Sequence, residues 1–306
     1  MSSHFKGLAY GLAASVLWGT IYVVARYLVE VRGLDPYYTA AIRFSLGGIL
    51  IAAYGLATAG ARKMLAAGEA TWQIVALSAA GTFGLGALVF VSAQYTTSIN
   101  SSLIVNSNAI FIAAFAVTIG ERVTRVRFAG LFVGLAGCSI VMLASAPPQP
   151  LPPSNNLLGG LAALGAALGW AAYTAFGKPV VRRFGGVVTS AWTIVCGGVM
   201  LAVVAVARGA IRPLTGYELL AVAYTAVGPT AIAMGLWYKA LEHVESSVLG
   251  PSQYIAPLVS VVLGWLLLGE PIGVAFAIGG VLTMVGVYMA TKPEPEADSN
   301  AGTASS

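Results

Sequence analysis

The sequence predicts an all-α integral membrane protein whose ten transmembrane helices form two inverted five-helix repeats. Three observations predict it. Of 306 residues, 58% are hydrophobic and 9% charged, against about 25% charged in a typical soluble domain. The apolar residues fall in runs of about 20, the length that crosses the hydrocarbon as a helix. The second half of the chain repeats features of the first, at an offset of 152 residues early in the repeat and 149 later.

The spans follow in order. The first covers 6–29. Lys6 before an apolar stretch has the look of a leader peptide, but the run continues past Trp18 to Leu28 and a matching segment recurs mid-chain, so it is read as a span. Spans at 36–58, 72–93, 98–119 and 126–145 complete the first set. The second set is 157–180, 187–208, 217–240, 247–268 and 272–291. Charges or prolines fill the separators, which run Arg32 to Pro36, Ala59 to Thr71, Glu121 to Arg127, Pro147 to Asn155 and Arg182 to Gly186. The apolar runs are continuous rather than alternating, which excludes a membrane β-barrel. The domains are therefore a first repeat at 1–146, a Pro-rich linker at 147–156, a second repeat at 157–292 and a disordered tail at 293–306.

Lysine and arginine placement sets the expected orientation. With the N-terminus in the cytoplasm, the inner side holds Lys6, Arg62, Lys63, Arg122, Arg125, Arg127, Lys178, Arg182, Arg183, Lys239 and Lys292. The outer side holds Arg32, Arg208 and Arg212, while Arg26 and Arg43 fall within spans. Both termini are expected in the cytoplasm, in a cell inner membrane. The net charge of +5 is scattered singly, without the basic stripe that nucleic-acid binding needs. Cys138, Cys196, His4 and His243 make no metal-ligand pattern, so no metal or cofactor is expected.

The internal repeat is legible residue by residue. GLAYGLAASVLWGTIYVVA from Gly7 aligns with GGLAALGAALGWAAYTAFG from Gly159, placing Trp18 opposite Trp170. Gly120-Glu121 aligns with Gly269-Glu270, Gly130 with Gly279, and Gly137 with Gly286. An odd number of helices per copy forces the second copy to enter from the opposite side. Inverted repeats suit a carrier, because two packings of similar halves expose one site to either side in turn.

Two five-helix repeats, each with a Trp-bearing first helix and a fourth helix ending in Gly-Glu, resemble the EamA-type branch of the drug/metabolite transporter superfamily. SSVLGPSQYIAPLVSVVLGWLLLGEPI, Ser246 to Ile272, carries the resemblance most clearly. It implies an exporter of amino acids, chiefly aromatic or hydrophobic neutral ones, or of related small metabolites. A drug or nucleotide-sugar carrier of the same superfamily is the alternative; an intramembrane enzyme or a non-transport membrane protein is more distant. One departure is Asn108, which stands where the second copy has Pro257 and predicts a straighter fourth helix.

Polar side chains inside a span mark a substrate path by default. The fourth span offers Asn100, Ser102 and Asn106; the ninth offers Gln253 and Tyr254. Amides both donate and accept, which suits a zwitterion. Trp18 and Tyr22 share one helix face, and Trp170 with Tyr173, Phe83, Phe90, Trp237 and Tyr238 extends the aromatic set. Pro229, Pro251 and Pro257 are the expected hinges. Arg43 and Lys178 are candidates for a substrate carboxylate, with snorkelling to the interface as the competing role. No Asp or Glu lies mid-span, so a neutral or zwitterionic substrate and facilitated diffusion are expected, in a monomer embedded in lipid.

Overall fold

The computed structural model describes residues 2–96, 98–144, 156–268 and 272–292. The side chain of Tyr22 lies outside the described residues, as do Gly269 and Glu270 of the second Gly-Glu pair. Ten long helices follow one another: α1 Ser3–Arg26, α2 Pro36–Ala59, α3 Ala61–Ser92, α4 Asn100–Thr118, α5 Arg125–Ala144, α6 Leu157–Phe184, α7 Gly186–Ala207, α8 Gly216–Ala240, α9 Ser246–Leu267 and α10 Val274–Thr291. Among the described residues, α2 to α10 are each long and apolar enough to cross a membrane. The protein is thus a multi-pass membrane protein, and its exposed Leu, Val, Ile and Trp side chains face what must be lipid.

Local chemistry sets the helix ends. Asp35 caps α2: its Oδ1 accepts from the N–H groups of Tyr37 (2.8 Å) and Tyr38 (3.1 Å), and Pro36 fills the first turn, where no N–H is needed. Gly60, at φ 81°, ends α2 in the left-handed region that only glycine enters cheaply. The expected loop from Ala59 to Thr71 reduces to this one residue. Ala61–Ala66 is already helical and Ala67–Ala70 continues as a 3-10 turn, because Met64, Ala67 and Ala70 are buried.

The third helix of each half contains a π-helical stretch, Ser78–Leu85 in α3 and Ala226–Ile232 in α8. In α8 the cause is Pro229, which has no N–H to donate. The carbonyl of Thr225 instead accepts from the Thr230 hydroxyl at 2.8 Å. The fourth helix of each half is also interrupted. α4 breaks at Ser107, between helical pieces Ser98–Asn106 and Asn108–Thr118. In α9 the stretch Gly250–Tyr254 is 3-10. Asn108 thus does not leave α4 continuous, although its break is one residue against five in α9. Ser107 turns the chain by donating its hydroxyl to the Ile104 carbonyl at 2.6 Å, and its N–H goes to the same carbonyl at 3.1 Å.

The packing repeats under exchange of the halves. α2 packs on α7 and α5 on α10; α3 and α4 pack on α6 as α8 and α9 pack on α1. The α5–α10 contact is backbone against backbone. A Cβ at Gly130 would lie 2.7 Å from the Ala290 nitrogen, and one at Gly279 2.7 Å from the Gly137 oxygen. Such small-residue seams let membrane helices gain dispersion contact where lipid offers no hydrophobic drive. Both ends of the bundle's chain lie on one face: His4 Nε2 is 3.0 Å from the Thr291 carbonyl. Lys63 and Arg183 share that face, where Arg183 pairs with Glu69 and Lys63 lies beside Gly185. This is the termini face of the bundle.

Candidate functional site

A cavity of about 360 Å³ opens between the two halves. Small-molecule sites start at about 300 Å³. Its walls come from α1, α2, α3, α4, α6, α8 and α9. It extends from Trp18 and Ile21 of α1 to Leu28 and Val29 of the π-helical stretch Tyr27–Val31 that follows. These residues lie in the half of the bundle away from the termini face.

Aromatic rings form its floor. Trp18 meets Trp170 edge-on at 5.3 Å between ring centroids and Trp237 at 5.1 Å. Trp170 stacks on Tyr173 at 5.1 Å, and Tyr173 on Tyr238 at 4.6 Å. Such pairs contribute about 0.5–1.5 kcal/mol each beyond burial. Trp18 is fixed by a bond from Nε1 to the Pro229 carbonyl, 3.0 Å. The aligned tryptophans thus meet at the junction of the halves.

Several polar atoms on the wall await a partner. Among the described residues, Trp170 Nε1, Gln253 Nε2 and Asn108 Oδ1 are buried without one. Buried polar groups are nearly always paired, so these three are suited to a ligand. Asn106 spends its amide donor on the Ser102 carbonyl at 2.8 Å and so offers its oxygen. Arg43, the eighth residue of α2, also lines the cavity. Its guanidinium lies 4.2 Å from the Phe44 ring centre, with no carboxylate against it among the described residues. Arg43 lies about 10 Å along the helix from Pro36, on the cavity wall.

The termini face is closed by a network of charges. The Glu121 carboxylate accepts from the N–H groups of Ser246 (2.9 Å) and Ser247 (3.0 Å), from the Ser246 hydroxyl (3.0 Å), and from Lys178 Nζ (3.0 Å). Lys178 also donates to the Val244 carbonyl at 2.9 Å. Burial alone raises the Glu121 pKa, but the Lys178 charge and the two serine N–H groups outweigh it and hold the carboxyl below its ordinary value. Arg127 adds bonds to Glu245 and Ser247, both at 3.0 Å. This ties the α4–α5 turn and α6 to the start of α9. Glu121 is therefore a helix cap and ion-pair partner, and Lys178 is engaged here rather than at the cavity.

Of the residues expected from the sequence, the cavity gathers Trp18, Phe90, Ser102, Asn106, Trp170, Gln253 and Pro229. Tyr22 aside, the structure places the others elsewhere. Tyr173, Trp237 and Tyr238 are buried behind the floor, bonded to Thr193, Thr174 and the Tyr173 carbonyl respectively. Tyr254 packs against Gly134 at the α5–α10 seam. Phe83 packs on the core, and Asn100 is exposed and bonded to Thr96. Pro251 is the second residue of the 3-10 stretch Gly250–Tyr254, and Pro257 lies in the first turn of Ile255–Leu268. Arg43 and Asn108 join the wall. The sequence signal for Arg43 was a cation inside an otherwise apolar span.

Residues 5–143 and again 157–292 match the EamA-like transporter family. An uncharacterized transporter of Archaeoglobus fulgidus is 26% identical over 90% of this chain and 94% of its own length. The uncharacterized inner membrane transporter YedA of Escherichia coli is 26% identical over 90% of each chain. The aromatic amino acid exporter YddG of Ancylobacter novellus is 28% identical over 92% of this chain and 95% of its own. A crystal structure 25% identical superimposes with a TM-score of 0.80 over 93% of this chain and 96% of that one. The twofold match, the all-helical fold and the cavity between exchangeable halves agree: the chain belongs to the EamA-like transporter family.

Proposed function

We propose that this transporter exports amino acids, aromatic and hydrophobic neutral ones first, by alternating access through the central cavity. The observation that carries the reading is the cavity's division of labour: an aromatic floor at Trp18 and Trp170 beneath a wall with an unpaired guanidinium and unpartnered amide atoms. Arg43 suits a carboxylate, the oxygens of Asn106 and Asn108 suit an ammonium, and the indoles suit an apolar side chain. Likeness to the YddG exporter supports the same class. Two phosphates of a nucleotide sugar would face a single cation among the described wall residues, which disfavours that alternative.

In the conformation described, the Glu121 network closes the termini face, and the cavity lies toward the other. The proposed placement is a cell inner membrane with the termini in the cytoplasm and a monomer as the working unit. No carboxylate lines the cavity among the described residues, so the proposed flux is facilitated by the solute gradient. The test is counterflow in proteoliposomes with an amino acid panel. Phenylalanine, tryptophan and leucine should exchange. Trp170→Ala and Asn106→Ala should lower the rate at least about tenfold, the equivalent of about 1.4 kcal/mol, with insertion unchanged. Normal exchange in both variants would refute the site.

A further inference from the structure

We propose that Arg43 makes the cavity a carboxylate site that does not require an amino group, so that apolar 2-oxo acids and related monocarboxylates are substrates beside the amino acids. The inference rests on the amino acid reading of the cavity but predicts a wider class than that reading does.

The argument is one of charge balance. Arg43 lies on the cavity wall with its guanidinium against the Phe44 ring. No hydrogen bond or ion pair to it is formed by any described residue, and the described wall residues include no Asp or Glu. A structural arginine inside a span is normally paired, and even Arg127, at the termini face, is paired with Glu245. Arg43 instead lines the solute space without such a partner, and its planar fork matches a carboxylate with two parallel bonds. A zwitterion leaves the cavity with its unbalanced positive charge. A monoanion neutralises it. The ammonium of an amino acid meets only neutral acceptors, the amide oxygens of Asn106 and Asn108. The carbonyl oxygen of a 2-oxo acid meets donors instead, and Trp170 Nε1 and Gln253 Nε2 are among the buried wall donors without a partner. The unpartnered atoms therefore serve a keto group at least as well as an amine.

The experiment uses the full chain in proteoliposomes. Exchange of labelled phenylalanine is challenged with phenylpyruvate, phenylalanine or phenethylamine, and uptake of labelled phenylpyruvate is measured directly. Phenylpyruvate should compete within about threefold of phenylalanine and should itself be carried; phenethylamine, which lacks the carboxylate, should compete at least about tenfold less well. Arg43→Gln should weaken both acids about 10- to 100-fold, the range for a lost charge-assisted pair. Arg43→Lys, which keeps the charge and guards against a misfolded Gln variant, should recover part of it.

If phenylalanine exchanges and phenylpyruvate does not, the proposal falls and the amino acid reading stands. If phenylpyruvate is carried and phenylalanine is not, the amino acid reading falls and the carboxylate site stands. Competition by phenethylamine equal to that of phenylalanine and indifferent to Arg43→Gln would overturn the role of Arg43. Failure of all three compounds to bind would overturn both.

Discussion

Replacing Glu121 with glutamine should shift the conformational balance of the transporter. Glu121 and Lys178 are 5% and 4% exposed at their side chains and 3.0 Å apart. The amide would point a donor at the Lys178 ammonium or withdraw an acceptor from the Ser246 and Ser247 N–H groups. Breaking one side of a buried pair costs about 3–5 kcal/mol. The Lys178 bond to the Val244 carbonyl survives and softens the loss. We expect about 3 kcal/mol, or about 100-fold in a two-state equilibrium. We expect that loss to fall on the conformation described, in which the α4–α5 turn and the start of α9 meet through Glu121. The assay is thiol reactivity of Leu249→Cys, with Cys138 and Cys196 replaced. Leu249 is fully buried beside Gly11 on the closed side. Glu121→Gln should raise its labelling rate about 100-fold, and adding Lys178→Met should reverse most of the gain by removing the stranded charge. An unchanged rate, or a double variant as open as the single, would refute the reasoning.

Three further outcomes are expected. The pH dependence of this same lock has a definite sign. Glu121 is depressed below its ordinary value of 4.5, so its stabilisation is complete above that value and disappears as pH falls through the lower folded one. The melting difference between wild type and Glu121→Gln should be flat from neutral pH to about 6 and shrink only below the ordinary carboxylate range. At the α5–α10 seam, Gly279→Ala should destabilise by about 1–3 kcal/mol, since its Cβ would lie 2.7 Å from a backbone oxygen. Gly280→Ala, whose Cβ meets nothing nearer than 3.9 Å, should change thermal stability in detergent by less than about 0.5 kcal/mol. Trp18→Phe keeps the ring but loses the bond to the Pro229 carbonyl, and should slow exchange by about fivefold, the equivalent of about 1 kcal/mol.

Composition alone decided that this chain lives in lipid, because so few charges cannot hydrate a surface of this size. Periodicity located the helices, since a membrane span must be continuous, apolar and about 20 residues long. The repeat was also legible, as Trp18 with Trp170 and Glu121 with Glu270, because inverted halves reuse local solutions. What the sequence left open was direction around each helix axis. A span apolar on all sides gives little amphipathic signal to say which face meets lipid and which meets a neighbour. Hence Trp18 and Trp170 reached the cavity, while Tyr173, Trp237 and Tyr238, of the same chemistry, fill the layer behind it. Arg43 looked as much like an interfacial anchor as a ligand-binding group. Only the packing of α2 against its neighbours turned it onto the cavity wall, and only the placement of every described carboxylate elsewhere left it without a partner.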